Sequence, residues 1–497
     1  MPPPFQEQGL SSFIAVPALP RLLGRVGFSV LMSVLLAACA AVGPDYRRPE
    51  LPAAPAYRGE GALAARPGSL PAPALDAWWA GFDDPALSGI VQQVLAQNLD
   101  LAAAAARVAQ ARAVAAQAGA DQLPRGDASA QVTRERTSIE SPLGKLTNGV
   151  LPDFERNQTF YNVGAGASWE ADIFGELRRG TEAAGAEAQA AEADQLGVRI
   201  VVAAEAADAY FRIRGAQRRI ALAQEQVDTD IRLRDLVQSR LRSGLASTRE
   251  QAQAEALVYQ ARATIPPLRS ELAIQLNRLD VLMAAAPGTY AAQLTGQPAQ
   301  GGIPAISVAQ GPAELLRRRP DVIAAERRLA ASSARIGVAV AQYYPKFSLS
   351  ALLGFDSLTS GNLFRSSAFQ PSATAGLRWR LFDFGRVDAE VKQAEGANAE
   401  ALLRYRNAML HATEDVENAI VSLVQLEAQG GELDDEVAAH DRARAASEDA
   451  YKGGAVSLIE VLQEDRELLR ARDDLARVRA DQARAAVSTF RALGGGW

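Results

Sequence analysis

The sequence is poor in the residues on which most protein chemistry depends. Among 497 residues there is one cysteine, Cys39, and there are two histidines, His411 and His440. A single cysteine excludes an intrachain disulfide. Two histidines, each set in a charged helical stretch, give no basis for a histidine-built metal centre or a Ser-His-Asp triad. Aromatic residues make up only 6%. No paired carboxylates, nucleophile motif or phosphate-binding loop rises above the charged background, so the expectation is a non-enzyme with neither metal nor cofactor. Basic charge is not in excess: the net charge is −6, which removes the electrostatic footprint of a nucleic-acid partner. No apolar run reaches the ~20 residues that a membrane-crossing helix requires.

What is present is alanine in abundance, with charged residues (22%) finely interspersed. That is the composition of long helices. The most apolar stretch, Val30 to Ala38, follows Arg21 and Arg25 and ends in Leu36-Ala37-Ala38-Cys39. Basic residues, an apolar stretch and small residues in that order make a secretory signal. The last four residues resemble a bacterial lipobox. That resemblance implies cleavage before Cys39, a diacylglycerol thioether on its sulfur and an N-acyl chain on its amine. Several acyl chains anchor a protein stably where one is marginal. Ala40 stands where Asp would mark retention at the inner membrane in such lipoproteins, so the resemblance implies outer-membrane export.

The chain is also a tandem repeat, the pattern to look for before any other. Asp100 and Asp321, Arg107 and Arg328, and Pro124 and Pro345 are each 221 residues apart. Beyond them the spacing is 210: Trp169 with Trp379, Phe174-Gly175 with Phe384-Gly385, Gly244 with Gly454, Ser247 with Ser457, and Glu250 with Glu460. The 11-residue difference falls between Pro124 and Trp169. Each half reads as helix, two strands, long helix, turn, helix.

The strands lie between the proline and the tryptophan. Phe347, Leu349, Ala351, Leu353 and Phe355 alternate with Ser348, Ser350, Leu352, Gly354 and Asp356. Ala375, Leu377, Trp379 and Leu381 do so in the returning strand, and Tyr161, Val163, Ala165, Ala167 and Trp169 in the first half. A two-residue period with one polar face suits a water-filled membrane barrel. Segments Ser141 to Arg156 and Thr359 to Ser372, rich in Gly, Pro, Ser and Asn, read as exposed turns, where insertions are tolerated.

From Gly175 to Gly244, and again from Gly385 to Gly454, no proline interrupts the pattern. Each stretch could extend roughly 100 Å as a helix. Heptad spacing recurs in Ile213, Ile220 and Val227, in Leu402, Met409, Val416 and Leu423, and in Leu462, Leu469, Ala476, Ala483 and Phe490. Such spacing packs as a coiled coil. Four strands per chain cannot close a membrane barrel, since barrels start at about eight. Open edges cannot face lipid. Several chains must therefore pool their strands, and strand number alone does not choose between dimer and trimer.

At this point the sequence resembles the outer membrane factor family, the TolC-like efflux proteins, and within it the lipoprotein branch of OprM- and NodT-type outlets. The resemblance rests on Cys39-Ala-Ala-Val-Gly-Pro-Asp-Tyr-Arg-Arg-Pro49, Trp78-Trp79 with Phe82-Asp-Asp-Pro85, and Trp169-Glu-Ala-Asp-Ile-Phe-Gly175. It continues through Gln342-Tyr-Tyr-Pro-Lys-Phe347, Arg380-Leu-Phe-Asp-Phe-Gly-Arg386 and Arg491-Ala-Leu-Gly-Gly-Gly-Trp497. It implies a mainly α fold with a transmembrane β-barrel portion. Four strands per protomer would make a twelve-stranded barrel in a homotrimer, mounted on a long α-helical coiled-coil tunnel in the periplasm. The implied partners are outer-membrane lipid, a periplasmic adaptor and an inner-membrane RND pump. The implied function is the outer-membrane channel of a tripartite system exporting drugs or other toxic small molecules. An outlet for type I protein secretion and a pore-less structural coiled coil of the envelope are the alternatives.

The expected divisions are a signal peptide over 1–38, an anchored arm over 39–85, a first repeat over 86–290, an equatorial linker over 291–311 and a second repeat over 312–497. Strands are expected near 126–172 and 346–383. The resemblance places adaptor-docking tips at Arg242, Gly244, Leu245 and Ser247, and at Lys452, Gly454, Val456 and Ser457. It places a periplasmic gate at Glu460, Gln463, Asp465 and Arg466. Three Glu460 side chains near a three-fold axis would attract cations. Gln463 stands where the family often has Asp, which implies a thinner acidic ring.

Overall fold

The computed structural model describes residues 41–49, 55–66, 70–142, 144–146, 155–294, 301–308 and 311–497. Cys39 and the expected signal peptide lie outside the described residues, as do 295–300 and 309–310 of the expected linker. The main elements are α1 (Pro85–Gln97), α2 (Leu99–Ala120), β1 (Arg125–Arg136), β2 (Asn157–Ala171), α3 (Glu176–Arg242) and α4 (Thr248–Leu282). They continue with α5 (Gly311–Arg318), α6 (Pro320–Ala341), β3 (Lys346–Ser357), β4 (Phe369–Arg378), α7 (Arg386–Lys452) and α8 (Leu458–Ala492). Among the described residues, no helix is long and apolar enough to cross a membrane. The chain divides into two compact units.

The first unit comprises the described residues up to Asp45, with Ala118–Thr181 and Ala334–Ala394. It holds one antiparallel sheet in the order β1-β2-β3-β4. The two hairpins share one register: Gly126 opposes Ala167 in the first, and Phe347 opposes Leu377 in the second. These are the partners that the 221 and 210 spacings relate. Each hairpin is tied at its base in the same way. The Trp169 indole N–H donates to the Gln122 carbonyl at 2.9 Å, and the Trp379 indole N–H donates to the Tyr343 carbonyl at 2.9 Å.

Directly opposed residues lie on one face of a sheet. Val132, Tyr161, Ser357 and their neighbours fix the faces. Ala130, Val163, Phe355 and Phe369 line one side, as do Ala128, Ala165, Leu353 and Pro371. Asp127, Gly166, Leu352 and Ser372 line the other, as do Ser129, Gly164, Gly354 and Gln370. Over the middle of the sheet one face is thus apolar and the other polar but for Leu352; toward the end of the β1–β2 hairpin, Arg134, Arg136, Thr159 and Asn157 fall on the first face and Phe160 on the second. The apolar face does not form a core: Val132, Leu349, Leu353 and Leu377 are exposed.

The segment Phe369–Ser372, expected to belong to a turn, is the start of β4. Pro371 accounts for the misreading. Proline cannot donate to a ladder, but an edge strand tolerates it, and β4 is an edge. The same strand ends at Arg378, so Trp379 and Leu381 continue the alternation without being strand.

The second unit comprises Tyr46–Gln117, Glu182–Ser333 and Glu395–Trp497. Its main core joins the heptad seams of α3, α7 and α8 at Ile213, Val416, Leu423 and Phe490, and Val227 and Leu462 of the same seams are buried in smaller clusters. Many core positions are alanine, which allows helices to approach closely. An aromatic group sits within this core: Trp78 stacks on Phe490 at 5.5 Å and meets Trp79 edge-on at 5.6 Å. The C-terminal glycines fit here for want of a side chain. A Cβ on Gly495 would stand 3.0 Å from the Leu75 carbonyl oxygen and 3.1 Å from that of Phe490. Asp84 caps α1 through the N–H groups of Ala86 and Leu87 and accepts from the Tyr210 hydroxyl at 2.6 Å. Burial, followed by that hydrogen bond, pushes the Tyr210 hydroxyl up to about 12.

Candidate functional site

The two helix reversals have one geometry. At the first, Gly244 takes φ +73° and the Leu245 N–H reaches back to the Arg240 carbonyl at 2.8 Å. At the second, Gly454 takes φ +73° and the Ala455 N–H reaches the Ala450 carbonyl at 2.8 Å. Left-handed backbone at the residue after a helix, with that long back-bond, is the glycine-dependent helix stop. Arg242, Leu245 and Ser247 are exposed around the first turn, and Lys452 is exposed at the second, with Val456 and Ser457 half-buried. The two tips share one end of the unit: Leu233, Val237 and Ala254 form a cluster with Leu462, and Ala246 and Leu458 pack against it. Lys452 is paired with Glu448 at 3.1 Å and Asp449 at 3.7 Å.

The four residues expected at the gate do not form one group. Glu460 is exposed, but its carboxylate accepts from the Ser457 N–H at 3.2 Å and the Ser457 hydroxyl at 3.1 Å. It closes the first turn of α8. Its counterpart Glu250 closes the first turn of α4 on Ser247, at 2.6 and 2.8 Å. Hydrogen bonds from the Ser247 N–H and then its hydroxyl hold the Glu250 carboxyl below the usual range. Both pairs are capping boxes, and the serine and the acid sit three residues apart as that motif requires.

Gln463 is exposed. Asp465 turns to Arg444 of α7, and Arg466 turns to Asp230 of α3 at 3.0 Å. Asp230 is buried and also accepts from Gln226 at 3.0 Å. Burial raises its carboxyl despite the Gln226 hydrogen bond and the Arg466 charge. Asp465 and Arg466 therefore bind α8 to two neighbouring helices. A cavity of about 500 Å³ opens beside this link, with Leu222, Ala261 and Leu469 on its walls.

The arm that follows Cys39 is held by carboxylates. In the first unit, the Arg179 guanidinium bonds Asp45 at 2.7 Å and the Val42 carbonyl at 3.2 Å. Gly43 lies against Gly337 so closely that a Cβ would stand 2.4 Å from the Gly337 Cα. In the second unit, the buried Glu326 of α6 accepts from the Tyr46 hydroxyl at 2.5 Å, from Arg48 at 3.1 Å and from Arg327 at 2.7 Å. Burial alone would raise the Glu326 carboxyl. The hydrogen bonds from Arg48, Arg327 and Tyr46 outweigh it and hold the carboxyl below its ordinary value. Further along, Glu417 receives the N–H groups of Arg58 and Gly59 at 2.7 and 3.3 Å, and Glu427 takes Arg66 in a two-pronged pair at 2.6 and 2.7 Å.

Nothing in the sequence pattern singled out Glu326, because its partner Tyr46 lies 280 residues away. Its sequence signal is a carboxylate between the buried Val322 and Leu329 of α6. We expect Glu326→Gln to weaken the clasp by about 2 kcal/mol, the cost of leaving buried donors short of an acceptor. Limited trypsin digestion should then cut the Arg47–Arg48 bond faster than in wild type. Since the folded carboxyl is depressed, the wild-type clasp is at full strength above the unfolded value of ~4.3. It weakens as pH falls through the folded value. A digestion rate unchanged in the variant contradicts this role.

Known proteins resemble this chain in sequence and in fold. The sequence pattern of the outer membrane efflux protein family matches residues 90–285 and 311–495. The pyoverdine export outer membrane protein OpmQ of Pseudomonas putida is 32% identical, over 94% of this chain and 96% of its own. Nodulation protein T of Rhizobium leguminosarum bv. trifolii is 31% identical, over 94% of this chain and 96% of its own. The solved structure of the outer-membrane channel OprN superposes with a TM-score of 0.79 at 31% identity, covering 92% of this chain and all of the other.

Proposed function

The chain belongs to the outer membrane efflux protein family, and we propose that three copies of it form the exit duct of a tripartite efflux system for small molecules. It is an outer-membrane channel protein of the TolC-like fold. The observation that carries the proposal is the sheet: one apolar face left exposed, one polar face, and two edge strands. Hydrocarbon suits the first face, and water in a lumen suits the second. Lipid forbids unpaired edges, so the strands of several copies must join. Three copies give twelve strands.

The remaining parts follow from that reading. Acyl chains on Cys39 anchor the arm in the outer membrane, and the carboxylate clasps hold it against the helices. The exposed tips at Gly244 and Gly454 receive a periplasmic adaptor, which links the duct to an inner-membrane pump of the RND type. OpmQ is named for pyoverdine export, which supports a small-molecule cargo. The protein carries out transport and no bond chemistry.

Deleting the gene in its host tests the function. Cells lacking it should accumulate a fluorescent efflux dye, and the wild-type copy should restore its expulsion. Unchanged dye handling together with loss of a secreted protein would turn the assignment to a protein-secretion outlet.

The Glu460 carboxylates at the mouth of the duct favour cations, with Gln463 leaving the ring thin. Glu460→Gln is a clean probe because Gln keeps an acceptor for Ser457 and so preserves the cap. Single-channel recording in a planar bilayer should show lower cation selectivity in the variant. Selectivity and conductance both equal to wild type would remove Glu460 from the constriction.

A further inference from the structure

Two arginines interrupt the apolar face of the sheet at one end. Beyond Val132, strand β1 carries Arg134 opposite Thr159 and Arg136 opposite Asn157. Both arginines follow Val132 at even steps, so both lie on the apolar face. Glu135, between them, opposes Gln158 on the polar face. Both arginines are exposed, and among the described residues neither side chain has an ion-pair partner.

The hairpin itself does not demand cations there. The repeat equivalents of Arg134 and Thr159 are Phe355 and Phe369, which oppose each other in the second hairpin. Their rings lie 5.5 Å apart, and Phe364, 71% exposed, meets Phe355 at 5.6 Å. One hairpin thus ends in guanidinium groups where the other ends in aromatic rings.

Distance along the strands fixes what the arginines meet. The apolar face begins where Phe347 opposes Ala171 and Leu377. It reaches Val132 and Tyr161 at the level of Ser357, ten residues further along β3. Ten residues of strand rise roughly 34 Å. Tilted as strands are in a membrane barrel, they climb about 25 Å, the height of such a barrel's apolar band. Arg134 is the next residue of β1 on that face, so it stands where hydrocarbon gives way to lipid head groups. Aromatic girdles mark both ends of such a band. This face carries Trp169 near its base and Phe355 with Phe369 near its top.

We propose that Arg134 and Arg136 seat the phosphate groups of outer-leaflet lipid. This rests on the duct reading above, in which the hairpin ends face outward, and adds a lipid-recognition site to it. A guanidinium presents a planar fork of donors that matches two phosphate oxygens. Hydrogen bonds between two charged groups are among the strongest that side chains make. Arginine stems lie along apolar surface while their heads reach the polar layer, so both guanidinium groups meet one layer of phosphates. A glycolipid with phosphates on its sugars supplies the charge that the pair lacks, and a neutral head group does not.

Binding of lipid A to the full-length oligomer in non-ionic detergent tests the seat. Diphosphorylated lipid A should bind about tenfold more tightly than its dephosphorylated form at low ionic strength. Arg134→Gln combined with Arg136→Gln should erase that preference and leave oligomer assembly and single-channel conductance at the wild-type level. Inorganic pyrophosphate at the same concentration should not displace the lipid. Equal binding of the two lipids by the wild-type oligomer, or a phosphate preference that survives the double substitution, overturns the seat while the duct reading stands. Displacement by pyrophosphate overturns the lipid assignment, since bare phosphate would then suffice. Wild-type protein that stays a single chain in detergent overturns the duct reading and the seat with it.

Discussion

Replacing Trp78 by Ala should destabilise the helical unit by about 4 kcal/mol, the range for emptying a large aromatic site in a packed core. Trp78 is fully buried and touches three other rings, Trp79, Phe82 and Phe490. It also forms the floor on which the C-terminal glycines close, with the Gly496 N–H donating to the Leu75 carbonyl at 2.7 Å. The cavity would therefore loosen the N-terminal arm, α8 and the C-terminus together. Thermal unfolding of the purified protein, followed by far-ultraviolet circular dichroism, should shift down by on the order of 8 °C. Tyr259→Ala, at an exposed position, should change the midpoint little. Equal shifts for the two variants would mean that the aromatic cluster does not hold the unit.

The second large effect concerns the sheet. Leu353→Arg places a cation in the middle of the apolar face, opposite Ala165 and Pro371. If that face meets hydrocarbon, the change costs ~2–4 kcal/mol near the bilayer midplane, and each assembled ring bears it once per copy. The variant should be lost from the outer-membrane fraction and should fail to form the heat-resistant oligomer. Gln131→Arg lies on the opposite face, next to Asn162, and should insert at the wild-type level. If Leu353→Arg inserts normally while Gln131→Arg does not, the faces are assigned the wrong way round.

The parts of this architecture that were legible in the sequence are those encoded by local period or by repetition. Alternation showed β2 and β3, heptads showed the buried seams of α3, α7 and α8, and the paired glycines showed both reversals. Each signal depends on neighbours within a few residues or on a second copy at constant spacing. Phe369–Ser372 was obscured because Pro371 reads as a turn, and only the sheet order reveals that β4 is an edge. Pro266 and Pro267 lie within α4, which continues through them; no local rule anticipates that.

The site was less legible than the fold. Ser457 and Glu460 have the spacing of a capping box, and the equivalent pair Ser247 and Glu250 repeats it, while the family resemblance points to Glu460 as a gate charge. The structure gives the side chain a local hydrogen-bonding role at the start of α8. The family resemblance places Asp465 and Arg466 at the gate beside it, but successive residues on a helix point in different directions. One reaches α7 and the other α3. The Glu326 clasp and the Asp230–Arg466 link join residues hundreds of positions apart, and one sequence carries no sign of such pairings.

A hollow duct requires that the joined sheets enclose water. Planar-bilayer recording on the purified wild-type oligomer asks this directly. We predict stepwise unitary currents as single oligomers insert. An oligomer that inserts intact and passes no current at any applied potential would contradict the hollow barrel.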